Sequence, residues 1–169
     1  MSFFLDVAGY LKTAIDDTIG ITSVDQLSRE NVDDVIGRIY SYMIQSASEK
    51  DLRGKVLLNY SADDPKKFRA WMITRTDFAP SETGGSLYFR DHTFALYPYY
   101  ALAGAGESEM VFQDHLERVA DLFDSDIKLG GHTLTSGPMS VSGIGHRMWL
   151  STLCHSAQIT FTSRQDRRY

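Results

Sequence analysis

Cys154 is the one cysteine among 169 residues, so an intramolecular disulfide is impossible and a cysteine-based zinc site has no second thiolate to build on. No stretch approaches the roughly 18 consecutive apolar residues that a membrane-spanning helix needs. The opening Met1-Ser2-Phe3-Phe4-Leu5-Asp6 has neither the basic start nor the apolar run of a secretory signal. The expectation is a chain that stays in the compartment of its synthesis with its thiol reduced, with no membrane partner. Basic charge is also short: 17 Lys and Arg stand against 22 Asp and Glu, a formal net charge of −5. A dedicated nucleic-acid binder would carry a basic stripe. A wall past which DNA merely slides is still compatible, because acidic charge repels phosphate and prevents sticking.

What is there suits one folded core: 43% hydrophobic and 23% charged residues, in a length typical of a single domain. Phe4, Ala8, Leu11, Ile15 and Ile19 recur at helical spacing, predicting an amphipathic helix that ends near Gly20. Ser23 to Gln26 has a capping-box pattern, and Val32, Val35, Ile36, Ile39, Tyr40, Met43 and Ile44 predict a second, longer helix. The period then changes to two. Strands are predicted at Lys55 to Tyr60, Phe68 to Thr76 and Leu87 to Tyr100, with a turn at Ser61 to Pro65 and a loop at Asp77 to Gly85. Ser108 can cap a helix whose stripe is Phe112, Leu116, Val119, Ala120 and Phe123, stopping near Asp124. Met139 to His146 and Leu153 to Phe161 return to strand, turning near Leu150-Ser151, and Arg164 to Tyr169 is expected to fray. The fold class expected is α+β, an antiparallel or mixed sheet with helices packed on one face.

Reactive groups do not converge in this pattern. Cys154 and His155 are adjacent, but successive side chains of a strand point to opposite faces, so they cannot form a thiol–imidazole pair. His146 and His155 become cross-strand neighbours if the last hairpin turns near Leu150. A metal would still need a third ligand, and none stands at motif spacing. Gly104-Ala105-Gly106 and Gly143-Ile144-Gly145 lack the continuation of a phosphate-binding loop, and Ser140 and Ser142 sit in no nucleophile elbow. No catalytic residue, cofactor or metal site is assigned. The basic clusters Lys66, Lys67, Arg69 and Arg164, Arg167, Arg168 read as a solvated strand edge and a solvated tail.

Assembly is what the composition favours: nine Tyr, nine Phe and two Trp include the residue types that supply contact area at protein interfaces. The candidates are Tyr97, Tyr99 and Tyr100 in one run and Arg147, Met148 and Trp149 in another. The competing reading has the same residues closing the ends of the core.

Several blocks share their order with a known family. They are Arg69-Ala70-Trp71 with Thr74-Arg75-Thr76, then Arg90-Asp91-His92-Thr93-Phe94-Ala95-Leu96 leading into Tyr99-Tyr100-Ala101-Leu102. Ser108 with its helix, Leu129-Gly130-Gly131, His146-Arg147-Met148 and the Leu153 to Phe161 strand follow. From Arg69 onward the chain resembles the tail terminator, or tail-completion, proteins of long-tailed bacteriophages and related prophages. The resemblance implies a homo-oligomeric ring, usually a hexamer, that caps the tail tube, stops its polymerisation and presents a face to a head-completion or neck protein. DNA would pass through the hole without sequence-specific binding, and the protein would sit in the virion after assembly in the bacterial cytoplasm. It also implies one domain over 1–169, with 23–169 as the family core and 1–22 as an N-terminal helical extension. Three alternatives stay open: a neck adaptor or minor tail protein, a small metal-dependent hydrolase using His146 and His155, and an unrelated binding module using the aromatic surface.

Overall fold

The computed structural model describes residues 2–18, 38–40, 69–82, 88–102, 106–149 and 151–167. Its elements in chain order are α1 (Phe3–Thr18), β1 (Arg38–Tyr40), β2 (Arg69–Glu82), β3 (Tyr88–Ala101), α2 (Glu107–Asp124), β4 (Thr135–Ser136), β5 (Ser140–Trp149) and β6 (Thr152–Arg167). The expected helix end at Gly20, the capping box at Ser23, the strand from Lys55 and the turn from Ser61 lie outside the described residues.

The sheet is built around β3 and β6. β2 pairs antiparallel with β3 from Arg69 opposite Tyr100 to Glu82 opposite Tyr88. β6 runs antiparallel along the other side of β3 and is itself flanked by β5 and the short β4. β1 adds a parallel strand beside Ala70 to Met72 of β2. The class is thus α+β, with an antiparallel sheet that one parallel strand makes mixed.

Alternation along the strands divides the sheet into two faces. Trp71 and Ile73, Phe94, Leu96 and Tyr100, and Ala157, Ile159 and Phe161 all point to the face that carries both helices. α1 contributes Ala8, Leu11 and Ile15 of its predicted stripe together with Val7, with Phe4 packed partly buried against them, and α2 contributes Phe112, Leu116, Val119 and Phe123 of its stripe but not Ala120. The opposite face holds a smaller cluster of Ala70, Met72, Tyr99, Ala101 and Cys154. The two described helices therefore share one face.

α1 is part of the main core. Its four inward residues are fully buried, and the Tyr10 hydroxyl donates to Asp126 Oδ2 at 2.7 Å. Asp126 also accepts the Gly130 N–H at 2.7 Å, and these donors hold its carboxyl below the usual range, the tyrosine bond having the largest effect. Gly130 has a φ of 63°, and a Cβ there would lie 2.5 Å from Tyr10 Cε2. The Leu129-Gly130-Gly131 turn thus needs a glycine where the tyrosine ring lies against it.

Four expectations are corrected. Arg38 to Tyr40, assigned to a helix from the apolar stripe, form a strand on β2; β-branched Ile39 suits either state, and the available β2 edge decides. Asp77 to Glu82 continue β2 instead of looping out. A register shift between Arg75 and Asp77 absorbs the break in alternation, and Pro80 is tolerated because β2 has no second neighbour there among the described residues. Arg164 to Arg167 are in β6 and not frayed, held by a two-pronged pair in which Arg164 Nε and Nη2 donate to Asp91 at 2.7 and 2.9 Å. Arg69 is buried, its guanidinium 5.1 Å from the centre of the Tyr100 ring, and not on a solvated edge.

Candidate interaction surfaces

The start of α2 does not use its predicted cap. Gly106 occupies the N-cap position with a φ of 102°, and no side chain caps the helix. Ser108 instead turns toward β6, its Oγ 2.9 Å from His155 Nε2. The β5–β6 hairpin pairs Trp149 with Thr152 and sets His146 opposite His155, with ring centroids 4.9 Å apart. The two histidines do meet, as the hairpin register predicts. Among the described residues no group of three His, Cys, Asp or Glu side chains could hold a metal ion. Cys154 faces away from His155, in the cluster on the far side of the sheet.

His155 is buried against Phe112, with centroids 5.6 Å apart. Burial, then the neighbouring His146, lower its pKa from the ordinary 6.5, while Glu109 opposes. The folded state therefore binds this proton less readily than the unfolded chain does. Stability from this group is full above pH 6.5 and falls as pH drops through and below that value. His155→Phe is expected to remove that part of the pH dependence, read from chemical denaturation between pH 5 and 8, the range in which a histidine titrates. An unchanged profile would place the dependence elsewhere.

The six interface candidates separate by strand parity. Tyr97 and Tyr99 lie on the face away from the helices. Tyr99 stacks on Trp149 with centroids 4.5 Å apart, and Gln158 Nε2 donates to the Tyr97 hydroxyl. Arg147 and Met148 are exposed, Met148 at 61%. Tyr100 belongs to the other face and is a core residue, 2% exposed. Its hydroxyl accepts from Trp71 Nε1 at 3.3 Å and lies 2.6 Å from His115 Nδ1. Desolvation pushes its phenol pKa up, so it stays protonated. The structure thus brings Tyr99 and Trp149 together and removes Tyr100 from the surface set.

A second surface lies in the segment that the sequence reading made a loop. Phe78 of β2 is half exposed, with the Arg75 guanidinium 4.6 Å and the Arg90 guanidinium 5.2 Å from its ring centre. His92 packs beside it with centroids 5.9 Å apart, and Phe3 of α1 lies against that histidine. Arg75 and Phe78 stand three apart in β2, and the register shift between Arg75 and Asp77 that lets them meet leaves no two-residue period to read.

Neither a protein-family model nor a curated protein matches the chain. Among the described residues, no helix is long and apolar enough to cross a membrane.

Proposed function

We propose that this chain is a structural subunit of a phage-type tail, forming a closed ring that caps the tail tube, stops its growth and joins tail to head while DNA passes through the hole. The observation that carries the reading is a sheet with two edges that are unpaired among the described residues, with apolar side chains beside each. Past Met72, β2 has no outer neighbour among the described residues, and half-exposed Phe78 stands there. At the other edge β5 pairs only with β6 among the described residues, and Ile144 and Met148 beside it are 50% and 61% exposed. Monomeric proteins normally blunt such edges with charge, bulges or cover. Two different edges on one subunit suit a head-to-tail contact, which closes into a ring when the rotation permits. The order of the sequence blocks from Arg69 onward supplies the tail-terminator part of the reading, and the net charge of −5 suits a channel that must not hold DNA.

An early stop codon in this gene, in a phage or prophage that carries it, is expected to give abnormally long, headless tails in negative-stain micrographs of the lysate. Tails of normal length that fail to join heads would instead assign the neck-adaptor role. Intact infectious particles would defeat the structural reading altogether.

A further inference from the structure

We propose that Phe78 of one copy, flanked by Arg75 and Arg90, docks in the groove between α2 and β5 of the next copy. The proposal rests on the ring reading and names the contact that would build it. The groove has a volume of about 290 Å³ and is lined by Leu116, Ala120, Val141 and Ile144, with Glu117 and Asp121 among its other walls. Its lining is apolar with an acidic border. The Phe78 side is apolar with a basic border, since the Arg75 guanidinium of β2 itself and the Arg90 guanidinium of neighbouring β3 both lie against the ring.

Charge complementarity selects a second copy as the occupant. The exposed face of α2 carries Glu107, Glu109, Asp114, Glu117, Asp121 and Asp124, and Arg118 is its one Lys or Arg. Arg118 is already bridged to Asp114 at 3.7 Å. Glu117 and Asp121 form no ion pair among the described residues, and neither do Arg75 and Arg90. Each surface has the charge that the other lacks. Three strand spacings, roughly 14 Å, separate β2 from β5 across the sheet. One chain cannot close the contact on itself, so each copy offers Phe78 to one neighbour and its groove to another. A buried aromatic ring between stacked arginines is the residue chemistry that dominates interface energetics.

The test uses two variants of the full chain, Arg75→Glu with Arg90→Glu, and Glu117→Arg with Asp121→Arg, followed by sedimentation velocity. Each alone is expected to weaken self-association roughly 100-fold, because like charges then face each other. An equal mixture is expected to restore the wild-type oligomer, since the acidic Phe78 side of the first fits the basic groove of the second, and the converse pair is wild-type in character. Recovery on mixing also shows that both variants fold. Variants that associate like wild type overturn this contact and leave the ring reading standing. So do variants that are folded by circular dichroism but are not restored by mixing. Should a swap unfold, Ile144→Arg at its half-exposed position replaces it, and unchanged association of that variant overturns the contact. Wild-type chain that stays monomeric up to its solubility limit also overturns the contact, and the ring reading then depends on the tail-length phenotype.

Discussion

A Leu11→Asp chain is expected to be unfolded. Leu11 is fully buried in the stripe of α1 that meets the sheet, between Ala8 and Ile15 and in the same cluster as Trp71, Phe94 and Leu96. Losing a buried leucine costs about 2–5 kcal/mol. Leaving a carboxylate in its place with no partner adds several more, or forces the group to take up a proton. Together these approach the whole margin of about 5–15 kcal/mol by which a domain of this kind is stable. Leu5→Asp is the matched control. Leu5 is 56% exposed on the same helix, and an acid in the first turn suits the helix dipole, so its effect should stay within about 0.5 kcal/mol. Circular dichroism of the two variants decides the standing of the N-terminal helix. A folded Leu11→Asp chain would mean that α1 detaches as an extension, as the resemblance to tail terminators implies. An unfolded one would mean that α1 completes the core.

Phe94→Ala is expected to lower stability by about 3–5 kcal/mol, equivalent to a drop in Tm of roughly 6–20 °C for a chain of this size. Phe94 sits fully buried on β3, which has a strand on each side. Its ring stacks on Phe161 of β6, with centroids 5.2 Å apart and planes 9° apart, and on Phe4 of α1 at 6.2 Å. It therefore joins the sheet and the first helix in one contact set, and truncation leaves a cavity that neither can fill without moving. Phe78→Ala makes the contrast. Its half-exposed ring should cost about 1 kcal/mol or less in folding while weakening self-association. A thermal melt of each variant checks the pair. If Phe94→Ala melts as wild type does, the aromatic cluster is not what joins helix to sheet.

Some of this was legible in the sequence because it depends on local periodicity. The stripes of α1 and α2 follow from apolar residues three and four apart. The opposed directions of Cys154 and His155 follow from the two-residue period of a strand, and the meeting of His146 with His155 follows from the hairpin register, with Trp149 opposite Thr152. The α+β class, with helices on one face, follows from those elements in that order. Other features depend on a partner far away in the chain. Arg38 to Tyr40 become a strand because β2 offers an edge, and Asp77 to Glu82 stay in the sheet because β3 supplies the ladder. Arg164 is ordered by Asp91, which stands 73 positions earlier. Ser108 leaves its cap for His155, and Tyr100 turns inward to Trp71 and His115. The sequence alone determined which segments are apolar on one side, since that is set within a few residues. Only the tertiary structure decided which described strands are paired and which of their edges are not, because hydrogen-bond ladders and ion pairs form between segments whose spacing along the chain carries no information about their distance in space.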